Sequence, residues 1–232
     1  MARVCYEIKS SEAGWNPLYQ QSYLGEIGWN EELLKKVSDS LTISDKYGQK
    51  MFAGELYESV IDTIEKLGML YLGRELLGQE IRNFTGLSQM LLKFHLYHWL
   101  YDSIACLDSL ARILNARFEL KIAQRRVGLN RKVIGDLSVK NKELSRFLEK
   151  ELGWIDDLKS MRSTVIHREG RLITGGGQEP CIVWDFKRAF VPNVDLNRVK
   201  LPDLVDEFMV KIDALCLEVI SSIPSEQEMK GV

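Results

Sequence analysis

Residues 95–118, HLYHWLYDSIACLDSLARILNARF, set Leu96, Leu100, Ile104, Leu107, Ala111, Leu114 and Phe118 at steps of three and four. That spacing lays all seven side chains along one stripe of an α-helix. It predicts a long helix from Leu87 to about Phe118, central to the fold. Asp102, Ser103, Asp108, Ser109 and Arg112 fall off the stripe. They leave a polar side open to solvent, a partner chain or a site.

The same period extends outward in both directions. Upstream, Leu56, Val60, Ile64, Leu67, Tyr71 and Leu72 predict a helix over about Met51 to Asn83. Gly68, Gly73 and Gly78 each cost this helix about 1 kcal/mol relative to Ala, and a break is expected near Gly78. Asn30 with Glu31 and Glu32 opens a short helix to about Leu41, with a turn over Thr42 to Lys50. Residues 1–28 mix Gly, Pro, Ser and aromatics without a period and are expected to be irregular.

Downstream, Leu129 and Asn130 after Gly128 read as a loop, and Val139 to Glu151 as a helix with Leu144, Phe147 and Leu148 inward. Gly153 is expected to interrupt it before Trp154, Ile155, Leu158, Met161, Val165 and Ile166 resume the period, which Gly170 then caps. Arg171 to Thr174 and Cys181 to Phe186, joined through Gly175-Gly176-Gly177, suggest a small β-hairpin. Pro202 and Asp203 start a last helix carrying Leu204, Phe208, Ile212, Leu215, Val219 and Ile220, before a polar, mobile tail over 224–232. The expected fold class is therefore mainly all-α, one helical domain over 1–232 with a small hairpin near the C-terminus.

A length of 232 residues with 45% hydrophobic content suffices for a sizeable core. A net charge of -2 excludes a broad positive field, so any nucleic-acid site must be local. The local candidate is 117–132, RFELKIAQRRVGLNRK, where Arg117, Lys121, Arg125, Arg126, Arg131 and Lys132 face one acid, Glu119. A solvated helix end and loop is the plainer reading of it. Cys5, Cys106, Cys181 and Cys216 show no zinc or disulfide spacing and read as reduced thiols. The N-terminal stretch has no signal-peptide core and no segment has the apolar length of a membrane span, so the expectation is a cytoplasmic protein with no membrane partner.

The chemistry-bearing segment is 154–170, WIDDLKSMRSTVIHREG, in which Arg162 and His167 stand five apart. A guanidinium holds phosphate through paired N–H donors, and an imidazole exchanges protons near neutral pH. Together they suit phosphodiester cleavage without metal. Five residues of helix, however, rotate by about 140° and rise about 7.5 Å, so the pair does not share one face. A reaching arginine, a loosened helix near His167 or a second protomer would have to bring them together. The plainer reading of the spacing pairs Arg162 with Asp157 or a solvent anion and leaves His167 beside the negative helix end.

Residues 154–169, following the helix at 95–118, resemble the HEPN superfamily (higher eukaryote and prokaryote nucleotide-binding domains), whose signature is R-x4-6-H. The resemblance covers mainly Leu87 to Glu169 and implies an antiparallel helical bundle that forms a homodimer. It also implies an RNA-directed activity, in many members metal-independent endoribonuclease action leaving 2′,3′-cyclic phosphate ends. By position, Arg162 would be the phosphate-binding catalytic residue and His167 the proton-transfer residue or the orienter of the attacking 2′-OH. Ser163 stands where the family often has Asn, Asp or His, which favours the alternative of a non-catalytic nucleotide-binding or protein-interaction module. No cofactor or metal is implied. His95, His98 and Asp102 lie within about 60° on their helix and could begin a Zn or Mn site, but as core-edge residues they need no metal.

Overall fold

A computed structural model describes residues 55–82, 88–123, 127–167, 171–173, 181–183 and 199–223. The short helix expected over Asn30 to Leu41, the irregular 1–28 segment, the Gly170 cap and the 224–232 tail lie outside these residues. The described chain is mostly helical: α1 Glu55–Arg82, α2 Ser88–Arg117, α3 Arg131–Ser138, α4 Lys142–His167 and α5 Leu201–Ser221.

Helix α1 runs unbroken through Gly68, Gly73 and Gly78, so the expected break near Gly78 is absent. Close packing explains one of the three glycines. A Cβ on Gly73 would lie 3.3 Å from Cδ1 of Trp99, whose side chain is fully buried on α2. Helix α2 is the central element, touching α1, α3, α4 and α5. Its buried surface is wider than the single stripe in the sequence, since Trp99, Cys106, Leu110 and Ile113 join Leu96, Leu100, Leu107, Ala111 and Leu114.

The segment after α2 differs most from expectation. Asn115 clamps the returning chain, its Nδ2 donating to the Ile122 carbonyl at 3.1 Å and its Oδ1 accepting from the Ile122 N–H at 2.9 Å. The clamped turn places Glu119 and Lys121 at φ 49° and 57°, a left-handed region that side chains with Cβ resist. Asn130 then caps α3 by accepting from the N–H groups of Lys132 and Val133 at 3.0 and 3.2 Å, so a short helix forms between the loop at Leu129-Asn130 and the helix expected from Val139, over residues to which the sequence assigns no element. Asn141 caps α4 in the same way through the Leu144 N–H.

Helix α4 continues straight through Gly153, correcting the expected interruption. Gly153 faces solvent with no heavy atom near its missing Cβ, so it costs propensity without breaking the ladder. Three short strands follow, β1 Arg171–Ile173, β2 Cys181–Val183 and β3 Val199–Lys200, antiparallel in the order β1-β2-β3. The last strand leads directly into α5.

The core closes where α5 meets α2 and α4. Phe208 lies between two indoles, 6.5 Å from Trp99 and 6.1 Å from Trp154 by ring centroid. Along α5, Leu204, Val205, Met209, Ile212, Leu215, Val219 and Ile220 are buried as well. Each such side chain contributes about 1.5–3 kcal/mol on burial. No described helix is long and apolar enough to cross a membrane.

Candidate functional site

Arg162 follows buried Met161 on α4, and Lys159 precedes it by three residues, close to one turn on the same side. Facing them on α2, Tyr101 and Asp108 stand two turns apart and Arg112 one turn further. Packing of α2 on α4 brings the two sets together. The Arg162 guanidinium lies over the Tyr101 ring, 5.6 Å from its centroid. Arg162 makes no hydrogen bond or ion pair among the described residues, and its Nε is buried without an acceptor. Leaving a charged donor in that state costs at least about 1–3 kcal/mol.

Asp108 lies within the field of three cations. Burial raises its pKa above the ordinary carboxylate value, while Lys159, Arg112 and Arg162, in that order, oppose the rise. The loop at Gly128 approaches Asp108 so closely that a Cβ there would sit 3.1 Å from Oδ1. Lys159 is steadied by donating its Nζ to the Leu129 carbonyl at 2.5 Å. Arg112 is held from α1, its Nη2 donating to Asp62 Oδ2 at 2.6 Å, and the Ser109 hydroxyl donates to the same oxygen at 2.5 Å. With Asp62 committed to Arg112 and Ser109, the cluster offers an unengaged guanidinium beside a desolvated carboxylate. That arrangement can hold an anionic oxygen and stabilise charge growing on it.

His167 is the last residue of α4, and its side chain lies outside the described residues. Because α4 stays helical to that point, its position is about 140° around the axis from Arg162, and loosening of the helix before His167 is not the route that joins them. Arg162 does not pair with Asp157. Burial raises the Asp157 pKa and Lys211 opposes that rise.

His95 and His98 both meet Phe94, edge-on at 5.6 Å and tilted at 4.0 Å between ring centroids. The His98 Nδ1 donates to the Phe94 carbonyl at 2.9 Å. Burial lowers the His95 pKa and raises that of Asp102, the latter opposed by Lys66 and His98. Among the described residues no three His, Cys, Asp or Glu side chains converge as metal ligands.

Arg117 Nε donates to the Ser222 carbonyl at 3.2 Å, whereas Lys121, Arg131 and Lys132 are exposed. Arg125 and Arg126 lie outside the described residues.

A cavity of about 290 Å³ opens between the end of α1 and the start of α5, but its arginines are already engaged, Arg74 with Asp206 at 2.7 Å and Arg82 with Glu75 at 3.2 Å. Cys106 and Cys216, distant in sequence, are buried with their sulfurs 3.9 Å apart. Sequence reasoning singled out Asp108, Ser109 and Arg112 as off the apolar stripe but missed Tyr101 and Lys159. The available signal was spacing, since Lys159 precedes Arg162 by three and Tyr101 precedes Asp108 by seven. No family model, curated protein or solved structure matches this chain.

Proposed function

We propose that this protein is an RNA-directed, metal-independent endoribonuclease acting as a homodimer, with Arg162 and His167 as its catalytic pair. The observation that carries the reading is the Arg162 guanidinium, unpaired among the described residues and braced over Tyr101 beside Asp108 and Lys159. Its setting is the helix pair that resembles HEPN domains. In this reaction the ribose 2′-oxygen bonds to phosphorus as the bond to the 5′-oxygen breaks. His167 takes the 2′-OH proton, the leaving 5′-oxygen takes one from water, and Arg162 stabilises the charge on the non-bridging oxygens. A second protomer supplies the other half of the pair, because the two positions diverge by about 140° on an unbroken helix.

Incubating structured and unstructured RNAs with the protein in EDTA tests this. Wild type is expected to leave 2′,3′-cyclic phosphate ends, with Arg162→Ala and His167→Ala slower by at least about 100-fold. Equal product from wild type and His167→Ala across several substrates overturns the assignment.

Exposed Ser163, where the family often carries Asn, Asp or His, favours a second reading, a non-catalytic module that binds nucleotide or a partner protein through the same surface. That reading gives ligand-induced thermal stabilisation in the same samples without turnover.

A further inference from the structure

On α2, Met90, Phe94, His98, Tyr101, Asp108 and Arg112 recur at steps of three, four and seven, within about 80° of one another around the axis. This face therefore runs continuously from an aromatic end into the polar cluster around Arg162. Its aromatic end is exposed: Phe94 is 54% and Tyr101 55% accessible. Each ring has a neighbour but remains half open, Phe94 with the His98 ring at 4.0 Å and Tyr101 with the Arg162 guanidinium at 5.6 Å. Exposed rings that end at an unpaired guanidinium match a ligand with flat π-faces joined to anionic groups.

We propose that the Phe94–His98–Tyr101 face of α2 is a stacking platform for the bases of single-stranded RNA, leading the backbone to Arg162. The inference rests on the RNA-directed reading above and narrows it to one strand state. Phe94 and Tyr101 are seven residues apart, about 10 Å along the helix. Neighbouring bases in a duplex repeat every ~3.4 Å. In a duplex each base face is covered by its stacking neighbours, so a base that stacks on either ring must leave its own stack, and a single strand can do this where a paired helix cannot. Stacking on aromatic faces accepts any base, while Arg162 and Lys159 supply local phosphate contacts on a molecule whose net charge of -2 gives no broad positive field. A second copy of the chain fits this face less well. A standard protein interface uses roughly 20–30 residues a side, whereas among the described residues the exposed apolar set here is Met90, Leu91, Phe94 and Tyr101, interrupted by His98 and ending at cations.

The test measures anisotropy of a short labelled 2′-O-methyl RNA, which cannot be cleaved through its 2′-oxygen, as a single strand and as a duplex. Phe94→Leu and Tyr101→Leu are each expected to weaken single-strand binding about tenfold, and Tyr101→Phe to stay within about twofold of wild type. Duplex binding is expected to be weaker than single-strand binding and insensitive to all three changes. Thermal melts of the variants check that the bundle is intact, which the exposure of both rings favours. Unchanged single-strand affinity in both leucine variants overturns the platform and leaves the RNA-directed reading standing. Wild type that binds neither strand form overturns both. Sedimentation in which Phe94→Asp dissociates a dimer assigns the face to a second copy and also overturns the platform.

Discussion

Asp213 on α5 accepts a hydrogen bond from the Tyr71 hydroxyl through Oδ2, while its buried Oδ1 has no partner among the described residues. Desolvation raises its pKa to about 6 from an ordinary 3.8, against opposing effects of Tyr71 and Arg74. The folded value lies above the unfolded one. Its contribution to stability is therefore complete below about pH 3.8 and is lost as pH rises through about 6. Asp213→Asn is expected to flatten this descent, so that urea unfolding shows the variant gaining on wild type between pH 4 and pH 7. The difference between the two proteins is the informative quantity, because the lowered pKa of His95 gives the opposite slope. A constant difference across that range would reject the assignment. At this scale the sequence was partly legible. Arg162 could be singled out by its chemistry, whereas the Tyr101 ring beneath it and the demands on Asp108 depend on contacts between helices distant in the chain.

Two glycines in helix interiors separate intrinsic propensity from packing at the scale of elements. Gly153 is exposed in α4 with open space at its missing Cβ, so Gly153→Ala is expected to stabilise by about 0.5–1 kcal/mol. Gly73 faces the fully buried Trp99, itself packed beside Phe208, so a Cβ there has to displace a buried indole by a few tenths of an ångström. Gly73→Ala is expected to lose about 1 kcal/mol or more despite the propensity gain. Urea melts of the two variants should move in opposite directions, and a stabilised Gly73→Ala would show that the indole relaxes. The apolar period made α1, α2 and α5 readable to within a few residues, because one buried stripe is a local property of sequence. Glycine misled that reading at positions 78 and 153, where tertiary packing carries the helix past a weak residue. Helix α3 was missed although Asn130 is a good cap, because eight residues are too few to establish a period.

Across the whole molecule, Cys106 and Cys216 join α2 to α5 through a fully buried sulfur contact. Burial, with Cys106 adjacent, holds the Cys216 thiol well above its ordinary pKa, so it is an unreactive thiol in the folded state. Labelling by a thiol reagent, followed at these two positions by peptide mass, is expected only on the timescale of global unfolding and at a rate rising with urea. Rapid labelling in native buffer would mean that α5 opens independently. The sequence foretold a helical chain with free thiols but could not foretell this meeting, because the pairing depends on which faces of α2 and α5 oppose each other.

The close approach of Gly73 to Trp99 also fixes where α1 sits along α2. Sliding α1 by one turn, about 5.4 Å, would bring Met69 or Leu77 to the indole in place of a bare backbone. Neither side chain can enter that space, so the notch admits one axial position. Asp62 travels with α1, and Arg112 and Ser109 are tied to Asp62. The carboxylate that engages Arg112 and Ser109 thus has its longitudinal address along α2 set by an absent side chain.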